Sequence, residues 1–301
     1  MPERRFYPVP DGLSGDRIDS VLSRMTGLSR SVCAAAVQKG EAWIDGAVAS
    51  KSDRVPSGAV LEILVPDPPS LEPRPSAEGI VRLYEDEDVV VVDKPAGMAA
   101  HPSLNFEGPD VLGTLMAEGV KLTTHGPQER KGIVHRLDVG TTGCMVVAKS
   151  EAAYSALKRA FRDRAVEKVY HALVQGHPDP MSGTIEAPIG RDNRRQWKMA
   201  VRADGRPSVT HYEALEAMAG ASLLEVRLET GRTHQIRVHF SWLGAPLVGD
   251  DLYGGVKDEL LDRQALHCHS LTFIHPMTKK ELIIEAPLPK DMSQWIEAHK
   301  K

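Results

Sequence analysis

Five prolines stand between Pro66 and Pro75, in Pro66-Asp67-Pro68-Pro69 and Pro73-Arg74-Pro75. Proline has no amide hydrogen to donate and a fixed φ, so this stretch continues neither a helix nor a central strand. It reads as an extended, semi-rigid linker. The 301 residues then divide into a small N-terminal module (1–65), the linker (66–76) and a large C-terminal module (77–301), a length that allows more than one core. With 42% hydrophobic and 26% charged residues the composition is that of a globular protein. The opening MPERRFYPVPDG contains no apolar run, which argues against a secretory signal or a membrane span there. Cys33, Cys144 and Cys268 are isolated and form no CxxC pair, as expected in the reducing cytoplasm.

In the N-terminal module Ile18, Val21, Leu22 and Met25 recur at helical spacing, and Gly27 ends the run. Ser29 is placed to cap a second helix that stops at Gly40. Alternating residues at 42–44 and 60–65, with turns at Asp45-Gly46 and Ser57-Gly58, predict a short sheet. The C-terminal module alternates many short strands with few helices, which predicts an α+β fold with a mostly antiparallel mixed sheet. A helix over 151–164 shows Tyr154, Leu157, Ala160 and Phe161 on one face, and 166–174 reads as a strand. Thr233 is placed to cap a helix whose apolar stripe is Ile236, Phe240 and Leu243. The net charge is −4, yet Ser155 to Thr210 holds eleven basic residues against six acidic ones, a local net of +5. Such a segment is either a solvated face or a nucleic-acid contact.

The stretch Gly132 to Ser150, GIVHRLDVGTTGCMVVAKS, sets a polar, flexible loop between two apolar runs. Burial alone would raise the pKa of Asp138 there, whereas a nearby guanidinium would keep it ionised. The segment resembles the His-Arg-Leu-Asp signature of the RluA-type pseudouridine synthases. Further segments resemble the same family in the same order. They are Lys168-Val169-Tyr170-His171-Ala172-Leu173-Val174, then Leu228 to Arg237 (LETGRTHQIR) continuing to Gly249-Asp250 and Tyr253-Gly254-Gly255, and finally Leu266-His267-Cys268-His269 to Pro276. The likeness spans residues 80–290 and is nearest the large-subunit ribosomal branch of that family, synthase D. The N-terminal module resembles an S4 RNA-binding (α-L) domain through Arg17, Asp19, Leu28-Ser29-Arg30-Ser31, Gly40, Gly46 and Gly58.

The resemblance implies isomerisation of uridine in structured RNA, most closely a stem-loop of 23S ribosomal RNA, by a cytoplasmic monomer. A transfer RNA or another ribosomal loop stays open, as does a catalytically inactive RNA-binding protein. The reaction breaks the N1–C1′ bond, turns the uracil and rejoins it through C5. The leaving base is recaptured, so one carboxylate serves where a glycosidase uses two. In the family pattern Asp138 is that carboxylate, as nucleophile or as base, Tyr170 stacks on the uracil and Arg237 pairs with Asp138. Arg136 helps displace the target nucleotide, which must leave its stack to be reached. His135, Leu266, Lys168, Arg232 and His234 are expected at the substrate, and Arg17, Arg30 and Arg191 on RNA. No metal, coenzyme or membrane is implied. His234, His239, His267 and His269 invite a metal-dependent hydrolase as the rival, but no HExxH or cysteine pair accompanies them, so they read as packing or RNA contacts. Two departures from the pattern are Val139-Gly140 after Asp138, and Asp192-Asn193 after Arg191, which sets a negative charge beside an expected phosphate path.

Overall fold

A computed structural model describes residues 3–65, 71–104, 106–195 and 197–300. Two compact units emerge, 1–70 and 71–301. The expected linker residues 66–70 lie outside the described residues. Residues 71–76, also expected in the linker, group with the second unit instead. There the Arg74 amide donates to Asp110 Oδ2 at 2.7 Å and the Ser76 amide to Thr114 Oγ1 at 3.0 Å, so this end of the proline stretch is tied down.

The first unit runs β1 (Glu3–Pro8), α1 (Ile18–Thr26), α2 (Arg30–Gln38), β2 (Ala42–Ile44), β3 (Ala47–Val48) and β4 (Val60–Val65). Its antiparallel sheet has the order β1-β4-β2-β3. Ile18, Val21 and Leu22 of α1 and Leu61 and Ile63 of β4 are wholly buried in one core. Gly27 ends α1 in the left-handed conformation (φ 74°), and the Ser29 side chain accepts the Val32 amide at the start of α2.

The second unit holds β5 (Val81–Glu85), β6 (Val89–Lys94), α3 (Val111–Ala117), β7 (Thr142–Ala148), α4 (Glu151–Arg162), β8 (Glu167–Gln175), β9 (Ser182–Glu186), β10 (Ile189–Arg191), β11 (Met199–Val201), β12 (Val209–Met218), β13 (Ala221–Leu228), α5 (Gln235–Trp242), β14 (Leu266–Ile274), β15 (Glu281–Glu285) and α6 (Lys290–His299). Its nine-stranded sheet runs β5-β6-β7-β14-β8-β13-β12-β9, with β15 on β14, while β10 and β11 form a separate hairpin. Among the described pairings of the large sheet only β7 with β14 is parallel, so the fold is α+β and mostly antiparallel. All seven residues of β7 are buried, as a central strand covered on both faces requires. Gly143 (φ 108°) sits where β7 meets β14, and any side chain there would run into the Cys268 carbonyl. The helix after β13 departs from expectation. His234, not Thr233, is its N-cap, in the left-handed region at φ 56° and with no side-chain cap. No helix among the described residues is long and apolar enough to cross a membrane.

Candidate active site

A cavity of about 460 Å³ opens between the 134–141 loop, α4, β8 and the 228–237 segment. That is within the ~300–1,000 Å³ of small-molecule sites. Asp138, Tyr170, Arg237, Arg136, His135, Leu266, Lys168, Arg232 and His234 all line it.

The loop bearing Asp138 is held from behind, through its main chain. The carbonyl of Val139 accepts from the Gly97 amide at 3.0 Å and from Lys94 Nζ at 3.1 Å. The Gly140 carbonyl accepts Arg263 Nη1 at 2.9 Å, and Gln264 Nε2 reaches Thr141 Oγ1 at 3.3 Å. Lys94 is wholly buried at the end of β6 and also donates to the Pro95 and Met98 carbonyls at 2.9 and 2.8 Å. Burial pulls its pKa down to about 7, with the Asp138 charge acting in the opposite sense. Three carbonyl partners match the three N–H donors of the charged ammonium. Arg263 in turn forks onto Asp291 of α6 at 2.7 and 2.9 Å.

Arg237 lies in the first turn of α5. Its Nε and Nη2 grip Asp250 at 2.7 and 2.8 Å, which leaves Nη1 to meet Asp138 Oδ2 at 3.2 Å. The expected pairing of Arg237 with Asp138 is present through one N–H, while the bidentate partner is Asp250, whose side chain is 1% exposed. Burial opposes the guanidinium charge, but the Asp250 and Asp138 carboxylates outweigh it and hold the pKa above the ordinary arginine value. His234 Nε2 lies 3.9 Å from Asp138 Oδ2, while its Nδ1 is 2.8 Å from the Tyr253 hydroxyl. Tyr170, on β8 between Val226 of β13 and Cys268 of β14, is buried, and burial drives its phenol pKa well up, so the hydroxyl keeps its proton.

The remaining expected residues divide by what engages them. His135 lines the cavity, but its Nε2 accepts the Val146 amide at 3.0 Å and its ring stacks on Phe161 at 4.5 Å. Burial lowers its pKa to about 3, so it is a neutral, fixed ring. Lys168 lies 5.8 Å from the Phe161 ring, and burial lowers its pKa. Arg136 is exposed at the cavity mouth, and Arg232 donates to the Pro207 carbonyl at 3.3 Å. Arg191 ends β10, exposed. Asp192 accepts the Arg194 and Arg195 amides at 2.7 and 2.9 Å, so its charge is engaged in the turn rather than bare beside Arg191. Arg17 and Arg30 belong to the first unit, where both reach Asp19 at 3.1 Å.

The histidines behave as packing groups. His239 bonds Thr210 and the Ala187 carbonyl, and His267 bonds Thr142 and the Ala286 carbonyl. Among the described residues one cluster has metal-ligand proximity, Asp86, Asp88 and His275. His275 Nδ1 accepts the Met277 and Thr278 amides, so the ring proton sits on Nε2, 2.8 Å from Asp86 Oδ2 but outside hydrogen-bond geometry. A protonated nitrogen has no lone pair to offer a metal.

The second unit thus presents a carboxylate beside a forked arginine in a pocket on a mostly antiparallel α+β fold. Residues 88–242 match the RNA pseudouridylate synthase family, and the chain belongs to that family. It is 55% identical to an uncharacterized RNA pseudouridine synthase of Mycobacterium tuberculosis over 294 residues, 96% of both chains. It is 39% identical to ribosomal large subunit pseudouridine synthase D of Pseudomonas aeruginosa, covering 96% of this chain and 93% of that one. Among solved structures, human RNA pseudouridylate synthase domain containing 1 superposes with a TM-score of 0.59 at 27% identity, covering 75% of this chain and 96% of the human one. The chain is thus an RNA pseudouridine synthase, an isomerase.

Proposed function

We propose that this enzyme converts uridine to pseudouridine in a stem-loop of 23S ribosomal RNA, in the cytoplasm, with Asp138 as the essential carboxylate. The observation that carries the reading is the fork of Arg237 on Asp250, which leaves one N–H for Asp138. That arrangement sets one charge-assisted N–H on Asp138 without closing both its oxygens, whether it acts as nucleophile or as base. Tyr170 stacks on the uracil in the cavity. Arg136, exposed at the mouth, takes the place of the extruded nucleotide, whose loss of stacking costs a few kcal/mol. Leu266 packs on the base, while Lys168, Arg232 and His234 meet the nucleotide's polar groups.

His135 serves the site as a rigid wall, its imidazole already occupied by the Val146 amide. Arg191 contributes to the phosphate path, and the first unit acts as an S4 RNA-binding domain through Arg17 and Arg30. In support of a ribosomal substrate stand the relatives that carry large subunit pseudouridine synthase D as their name. The chemistry derived for these residues uses no coenzyme, and the protein acts as a monomer. Carbodiimide–primer-extension mapping of total RNA tests the whole reading. A deletion strain should lose a stop in 23S RNA that wild-type protein restores and Asp138→Asn does not. A lost stop in transfer RNA or another ribosomal loop would move the substrate; no lost stop would leave an RNA-binding protein without turnover.

A further inference from the structure

Tyr253 stands at a junction that the reaction as described leaves unused. It is 4% exposed, in the turn after Asp250. Its ring lies between two cations, with Lys198 Nζ 4.8 Å and Arg237 Cζ 5.0 Å from the centroid. Its hydroxyl accepts the Met199 amide of β11 at 3.1 Å and lies 2.8 Å from His234 Nδ1. Burial pushes the phenol up to about 12, so the hydroxyl proton is retained at neutral pH. The Met199 amide can only donate, and among the described residues no other acceptor is within hydrogen-bond reach of that hydroxyl. The proton therefore goes to His234 Nδ1. A neutral imidazole that accepts at Nδ1 carries its own proton on Nε2, the nitrogen that faces Asp138 Oδ2 at 3.9 Å.

We propose that Tyr253 is a positioning residue that sets the His234 tautomer, aiming an Nε2–H at the Asp138 carboxylate and tying that aim to the seat of the β10–β11 hairpin. The left-handed backbone at His234 (φ 56°) fits this role: it turns the imidazole out of the helix and into the gap between Tyr253 and Asp138. The hairpin also carries Arg191, Arg194, Arg195 and Lys198, so RNA drawn to those charges acts on the same Met199–Tyr253 bond. The catalytic consequence rests on the reading of Asp138 as the reacting carboxylate; the tautomer does not.

The test is a two-bond 1H–15N correlation spectrum of histidine-labelled full-length protein without RNA, with the His234 signals assigned by their loss in His234→Gln. Wild type should show the proton on Nε2, and Tyr253→Phe, which keeps the ring between its cations, should show a mixture or the Nδ1–H form. Single-turnover assays at saturating enzyme should then give a rate about tenfold lower for Tyr253→Phe. A wild-type His234 with its proton on Nδ1 overturns the proposal even if Tyr253→Phe fails to fold. An unchanged tautomer in a folded Tyr253→Phe overturns it as well, and so does a changed tautomer with an unchanged rate. Activity persisting in Asp138→Asn would sink the reading of Asp138 while leaving the tautomer result intact.

Discussion

Asp250→Asn is the sharpest probe of this site. The substitution preserves volume and one acceptor oxygen, but it removes the charge and turns an amide NH₂ toward the Arg237 guanidinium. Wild type makes two charge-assisted bonds here, at 2.7 and 2.8 Å, with both side chains buried. Each such bond is worth about 1.5–3 kcal/mol, and one is lost outright with some repulsion added, so stability should fall by about 2–4 kcal/mol. At roughly 2–4 °C per kcal/mol for a unit of this size, Tm should drop by about 4–16 °C. The larger effect is on chemistry. Without its fork, the guanidinium turns both arms onto Asp138 and shields the oxygen it now leaves open. A misplacement of about 1 Å costs on the order of a hundredfold, or about 2.7 kcal/mol of barrier. The assay is single-turnover release of tritium from RNA labelled at uracil C5, at saturating enzyme and well below the variant's Tm. Asp251→Asn, at a neighbour whose side chain is 72% exposed, is the control and should match wild type. A folded Asp250→Asn that reacts within about threefold of wild type would refute the orienting role; a loss confined to RNA affinity would refute it too.

Asp138→Asn should abolish tritium release while keeping Tm within a few degrees, because Arg237 retains both bonds to Asp250. Lys94→Met should lower Tm by about 5 °C or more, since it strips the buried Met98 carbonyl of a partner at about 1–3 kcal/mol and removes one bond each from the part-buried Pro95 and Val139 carbonyls; a Tm within 3 °C would contradict the anchoring. Gly143→Ala should yield no soluble folded protein, because both its φ and the Cys268 carbonyl exclude a methyl group. At Asp19, burial raises the carboxyl pKa, but the bonds from Arg17 and Arg30 outweigh it and the net value lies below 3.8. A depressed carboxylate stabilises fully above its unfolded pKa and loses that contribution as pH falls through its folded one. The gap in urea midpoint between wild type and Asp19→Asn should therefore hold at pH 6 and shrink below about 3.8.

Elements governed by local rules were legible in the sequence. Ser29 capped α2, Gly27 closed α1, and the alternation at 60–65 gave β4. Of the site, Asp138, Tyr170 and Arg237 could be named because family motifs surround them. Asp250, Tyr253, Lys94 and Arg263 could not be given work. Their partners stand far along the chain, and no periodicity records that Arg263 reaches Gly140 across 123 residues. Lys94 carries no mark of its burial in the sequence, since lysine is rarely wholly buried, yet here it is. Thr233 was misplaced as a cap because side-chain preference cannot foresee a non-glycine residue in the left-handed region at the next position.

The anchoring of the Asp138 loop by Arg263, and of Arg263 by Asp291, bears on when in its life the protein becomes an enzyme. On the translating ribosome Asp138 emerges well before the residues that brace it. Until α6 leaves the exit tunnel and docks, the loop has lost one of its main-chain props, and Arg263 is a charge without its carboxylate. The last of these props is thus set only once Asp291 has been made. A chain broken off short of Asp291 carries every residue of the pocket with the Asp138 loop still short of one brace.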